Sequence, residues 1–156
     1  MILLPYPNFA HSVACLDDRL LEKQRIHGTR LMACLNGGGW GLPSAWMDHP
    51  SARMWRGYRS ALGVYMTICS MEWERRSGAR AIMTPYNPAT WLRHGGYPGE
   101  LVEDARRAAS PPWLGDRRLH ESHQRTLLYA NPEHYRGLGW RVVPKLDYWW
   151  PESTAA

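Results

Sequence analysis

The sequence predicts an all-α chain, a compact single-domain helical fold with long, aromatic-rich loops over residues 1–156. Three observations carry this expectation. Apolar residues recur at helical spacing in several segments bounded by capping or helix-stopping residues. With 156 residues the chain is long enough for one hydrophobic core and too short for two ordinary domains. Its 44% apolar and 21% charged content is that of a folded globular protein.

The elements follow in order. Residues 1–11, with Pro5, Pro7 and Asn8, read as an extended N-terminal arm. From Ser12 or Asp17 to Leu35 the pattern is helical, with Asp17 and Asp18 early and Asn36-Gly37-Gly38-Gly39 as the stop. Asp48 is placed to cap a second helix with Pro50 in its first turn. That helix is expected to run to about Arg76 and to bury Ala52, Trp55, Leu62, Met66, Cys69 and Trp73. Residues 78–99 hold Pro85, Pro88 and Pro98 among Tyr86, Trp91, His94 and Tyr97, and read as a loop presenting aromatic rings. A short helix over about 100–109 precedes Pro111-Pro112, and Asp116 caps a helix to about Ala130. Asn131-Pro132 then breaks the chain. An irregular tail carries Tyr135, Trp140, Tyr148, Trp149 and Trp150 and ends in a frayed stretch over 152–156.

Composition narrows the function. Nineteen Lys and Arg against fourteen Asp and Glu give a net charge of +5, with Arg heavily dominant, which favours a polyanionic partner. Nine Trp and eight Tyr beside one Phe supply rings with polar handles, suited to stacking on bases as well as to core packing. The apolar runs are too short to span a bilayer, and Met1-Ile2-Leu3-Leu4 meets Pro5 without forming a signal peptide, so a cytoplasmic chain with no membrane partner is expected. Cys15, Cys34 and Cys69 form neither a CxxC pair nor an even framework and are expected as reduced, mostly buried thiols. P-loop, GxGxxG, HExxH and GxSxG patterns are lacking, so no nucleotide cofactor is expected and nucleotide hydrolysis, zincin and serine-hydrolase chemistry leave the leading list.

Several residues stand out for chemistry. On a helical wheel Leu20, Gln24, His27, Leu31 and Leu35 share a sector of roughly 80°, so two polar side chains face inward within an apolar stripe. They either satisfy buried hydrogen bonds or line a pocket. Gly28 beside them permits close approach of another backbone or a ligand. Arg53, Arg56 and Arg59 form a drifting basic ridge that suits phosphate contact or a solvated face equally. His120 and His123 are spaced to share a metal, but spacing fixes no third ligand, so no metal and no cofactor are expected. A small basic helical body with many rings has the parts needed to extrude a base from duplex DNA.

Asp48-His49-Pro50-Ser51-Ala52-Arg53-Met54-Trp55-Arg56-Gly57-Tyr58 carries a resemblance. It is joined by Leu119-His120-Glu121-Ser122-His123-Gln124 through Asn131-Pro132-Glu133-His134-Tyr135, and by Leu20-Leu21-Glu22-Lys23-Gln24-Arg25. In this order the blocks resemble the pyrimidine-dimer DNA glycosylase (endonuclease V type) superfamily, more closely a bacterial and phage branch. The resemblance implies a small all-helical protein that bends duplex DNA and flips a base. In that family the α-amine of the second residue, freed by removal of Met, attacks the sugar C1′ to form a Schiff base. A glutamate late in the first helix assists, and a lyase step cuts the strand. An α-amine has the lowest reference pKa of the protein amines, which suits it to this chemistry.

The chain departs from the pattern twice. Ile2 is too large for usual Met removal, so the amine is that of Met1; in place of the glutamate stand Gln24, Arg25, Ile26 or His27. One repair makes His27 a general base and lets Asp48 stabilise positive charge at the sugar, with water as nucleophile. The expected catalytic set is therefore Met1, Gln24, His27 and Asp48. The expected DNA contacts are Lys23, Arg25, His49, Arg53, Arg56, Arg59, Trp91, His123 and Tyr135. The expected function is a DNA glycosylase, with or without abasic-site lyase activity, acting as a nucleoid-associated monomer on a damaged or modified pyrimidine in double-stranded DNA. The alternatives are a non-catalytic DNA-bending protein on the same fold, a base-exchanging enzyme on modified phage DNA, and a metal-dependent hydrolase at His120 and His123.

Overall fold

Asn8 and Asp17, two short polar side chains nine residues apart, start two helices where the sequence suggests one. The Asn8 side chain accepts from the His11 N–H and opens α1, Phe9–Ala14. The Asp17 carboxylate accepts from the Leu20 N–H at 2.8 Å and opens α2, Asp18–Leu35. The arm therefore ends at Asn8 and not at residue 11. The computed structural model describes residues 1–35, 48–79 and 110–151; the glycine-rich stop after α2, the loop with Trp91 and the short helix expected over 100–109 lie outside these, as does the tail over 152–156.

The expected uninterrupted helix to Arg76 is two helices, α3 at Pro50–Trp55 and α4 at Arg59–Ser77. Gly57 divides them with φ of +79°, a left-handed conformation that side chains rarely adopt. A Gly57→Ala substitution is expected to cost about 1 kcal/mol, read as a lower midpoint in urea unfolding. The cap of α3 is also one residue later than expected, because His49 Nδ1, and not Asp48, accepts from the Ser51 N–H at 3.1 Å.

Asp116 does cap α5, Arg117–Ala130, by accepting from the Arg118 N–H. Asn131 then ends α5 and caps the short α6, Pro132–Tyr135. A 3-10 turn at Arg136–Leu138 leads into an irregular tail. All the described elements are helical, with no strand among the described residues, so the all-α expectation holds. No helix among the described residues is long and apolar enough to cross a membrane.

The core sits between α2 and α4, closed by α1, α3 and α5. Ala52, Trp55, Leu62, Met66 and Cys69 are buried as their spacing predicts, and Trp73 packs half-buried at the edge. Cys34 and Cys69 are buried free thiols and Cys15 is half-buried. Gly28 lets α2 meet α4 closely, since a Cβ there would lie 2.8 Å from Met66 Cγ. Gly28→Val is therefore expected to overpack this contact and to destabilise by about 2–3 kcal/mol, measured by chemical denaturation. Arg76 pins the end of α4 to the α1–α2 junction, donating to the carbonyls of Leu16 and Ala14 and pairing with Asp18.

Candidate active site at the N-terminal arm

Residues Ile2, Leu3 and Leu4 are apolar, and their side chains are buried. Burial of an extended segment leaves its peptide groups without water or helix partners, so side chains must supply the hydrogen bonds. Three helices do so. From α2, Gln24 Oε1 accepts from the Leu3 N–H at 2.8 Å, and its Nε2 donates to the Met1 carbonyl at 3.3 Å. From α4, the Tyr65 hydroxyl lies 3.1 Å from the Leu3 carbonyl and 3.2 Å from Gln24 Oε1. From α5, Gln124 donates to the Pro5 carbonyl at 2.8 Å.

Two histidines of α5 grip Leu4 from both sides. The Leu4 N–H donates to His123 Nδ1 at 2.9 Å, so the neutral ring carries its proton on Nε2, which finds no acceptor. The Gly115 N–H donates to His120 Nε2, so Nδ1 carries the proton and donates to the Leu4 carbonyl at 2.7 Å. With both His120 nitrogens engaged, the proposed metal pair has lost one ligand. No group of three His, Cys, Asp or Glu able to hold a metal occurs among the described residues.

The clamp sets the place of the Met1 amine, which lies 2.9 Å from His27 Nδ1. Burial lowers this amine from 8.0 to about 6, so at neutral pH it is mostly the free base. The His27 imidazole is lowered by burial and then by the charges of the amine, Arg30 and Lys23. Among the described residues no carboxylate pairs with the amine, and the cations beside His27 further disfavour protonation of the imidazole. The two polar residues of the α2 stripe thus have separate partners: Gln24 holds the arm, and His27 touches the Met1 amine.

Burial pushes His123 down to about 4. Its folded pKa lies below the unfolded value near 6.5, so the unfolded chain binds the extra proton between pH 6.5 and 4. Stability is then fully present above pH 6.5 and falls as the pH drops through that window, by about 3 kcal/mol for this residue. Urea unfolding at pH 7 and pH 4.5 reads the difference. His123→Asn is expected to make it smaller, His27 and His120 supplying part of what remains, and a flat wild-type profile would refute the buried neutral ring.

The other expected residues are scattered by the fold. Asp48 is exposed and turned toward Arg53 and Arg56, at 3.9 and 4.0 Å. It is no ion-pair partner of the amine, so the pairing of His27 with Asp48 is replaced by His27 with Met1. Arg25 is buried beneath the Trp73 ring, 4.1 Å from its centroid, and paired with Glu22 at 2.7 Å. His123 and Tyr135 are fully buried. Tyr135 stacks on Trp140, and its hydroxyl accepts from the Asp17 N–H. These three are structural residues and not phosphate contacts, because the apolar spacing that buries them faces the core. His49 serves as a helix cap, and Trp91 lies outside the described residues.

Exposed cations remain. Lys23 and Arg30 flank His27 on α2, and Arg53, Arg56 and Arg59 cluster about the Gly57 turn. Arg56, Gly57, Arg59 and Ser60 line a cleft of about 420 Å³ together with Leu35. Tyr65 and Gln124 were not foreseen as parts of the site, and His120 was foreseen only as one of a pair of metal ligands. The available signal was the polar stripe His120, His123 and Gln124 on a helix whose neighbours Leu119 and Leu127 are buried. Compared with known proteins, the chain matches no family model, no curated protein and no solved structure.

Proposed function

We propose that the chain is a DNA glycosylase with abasic-site lyase activity, excising a damaged or modified pyrimidine from duplex DNA through the Met1 amine. One observation carries this reading: a desolvated α-amine, lowered to about 6, hydrogen-bonded to a histidine on a basic helical surface. An unprotonated amine is a nucleophile, and its neighbouring base accepts the proton it sheds.

The steps balance as follows. The amine nitrogen bonds to C1′ as the C1′–N bond to the base breaks, and the base leaves with the electron pair and takes up a proton. The ammonium loses a proton to His27, which passes it to O4′ as the sugar ring opens to a Schiff base, and the imidazole is neutral again. Removal of a C2′ proton by the neutral His27 then expels the 3′ phosphate and cuts the strand. Gln24 and Tyr65 position the amine without touching the sugar. Lys23, Arg30, Arg53, Arg56 and Arg59 hold the phosphates of the distorted duplex. Each phosphate contact steepens the fall of affinity with salt by about one unit of slope. Arg56→Ala is therefore expected to lower the slope by about one, measured as log Kd against log salt.

Borohydride reduction in the presence of duplex DNA with one abasic site is the direct test. The expected result is a covalent protein–DNA species whose linked peptide begins at Met1. Base release from damaged duplex without trapping would move the chemistry to a water molecule activated by His27. Binding with neither would leave a DNA-bending protein.

A further inference from the structure

A glycosylase needs a place for the base it extrudes, and the tail provides a candidate beside the arm. Pro112, Trp113, Asp116, Arg118, Trp149 and Trp150 line a cleft of about 420 Å³, joined by Pro151. Pockets for small ligands span roughly 300–1,000 Å³. The Arg118 guanidinium lies over one face of Trp149, 4.3 Å from the ring centroid, and is itself held by Asp116 at 2.7 Å. This ring is fixed before any ligand arrives. Both indoles are half-buried, so each keeps surface open to the cleft.

The cleft is also tied to the amine. Trp150 meets His49 edge-on at 5.7 Å and lies 5.8 Å from Tyr148. Tyr148 packs against His123, the ring that holds Leu4. The charge of the Met1 amine is felt at both His49 and His123. A ring stacked on Trp150 would therefore lie two aromatic contacts away from the histidine that holds Leu4.

We infer that the Trp149–Trp150 cleft receives the extruded pyrimidine ring, stacking it on the indoles while Arg118 and Asp116 meet its polar edge. The inference rests on the glycosylase reading above. Stacking of a base on an aromatic side chain contributes enough to offset part of the cost of unpairing it, and tolerates substituents on the ring.

Photocrosslinking tests it with a duplex carrying one 5-iodouracil in a mismatch, followed by peptide mapping. Separately, borohydride trapping on an abasic duplex, which has no base to receive, reads the amine alone. The expected crosslink maps to Trp149 or Trp150 and falls at least tenfold in Trp150→Leu, while abasic-site trapping stays within twofold. Free 5-iodo-2′-deoxyuridine is expected to give less than a tenth of the crosslink. A crosslink elsewhere, none from a bound duplex, or one unchanged in Trp150→Leu would overturn the cleft while leaving the amine reading intact. Equal crosslinking of the free nucleoside would make the cleft a nucleoside site and overturn it as a receiver of extruded bases. Loss of trapping in Trp150→Leu would show a structural role only and overturn it too. Failure of the wild type to trap an abasic site would refute the amine reading itself.

Discussion

Placing Gly-Ser ahead of Met1 is expected to abolish borohydride trapping and to lower abasic-site cleavage about a thousandfold or more, as loss of a covalent nucleophile does. The extension converts the amine into an amide, which has no basic lone pair, and forces two further residues into a half-buried space beside His27. The unmodified chain should show a matching pH profile. The attacking form is the free amine, so activity rises as the amine deprotonates around pH 6 and is level from pH 7 to 8. An ordinary α-amine, at 8.0, would still be gaining activity across that interval. Undiminished cleavage by the extended chain would rule out Met1 as nucleophile.

Gln24→Leu is expected to destabilise the fold by about 3 kcal/mol, a fall in Tm of roughly 6–12 °C. The leucine fits the apolar stripe but leaves the Leu3 N–H without its acceptor and the Met1 carbonyl without its donor. Tyr65 also loses one of its two partners. The effect on chemistry is separable. With the arm loosened the amine regains water, its pKa climbs back toward 8, and activity at pH 6.5 falls more than activity at pH 8.5. Gln24→Glu adds a contrast, since it keeps the acceptor for Leu3 yet brings a negative charge near the amine and stabilises the ammonium. Scanning calorimetry and pH–rate profiles on the two variants distinguish support of the arm from tuning of its charge.

The parts of this architecture governed by neighbours in sequence were legible from sequence. Asp116 capping α5 and the inward aim of Gln24 and His27 follow from local spacing. The break at Gly57 was missed because an isolated glycine within a helical pattern is often tolerated, and only its left-handed φ reveals the turn. Asp48 and His49 are both competent caps, and the choice between them was invisible one residue apart. The partners of the arm were hidden for a deeper reason. Leu4 and His123 lie 119 residues apart, and no periodicity in either segment records the pairing. Arg25 shows the same limit from the other side, since its charge suggested a phosphate whereas Trp73, far along the chain, covers it.

The threading of the arm also orders events in time. Residues 1–5 leave the ribosome well ahead of α5, and their hydrogen-bond partners on that helix are made more than a hundred residues later. Closing so long a loop is slow compared with forming the helices, so the arm is among the last parts of the chain to find its place. Until then the amine is solvated and mostly protonated at neutral pH. If the proposed chemistry holds, a nascent or truncated chain carries a quiescent amine, and reactivity toward DNA arrives only with the finished fold.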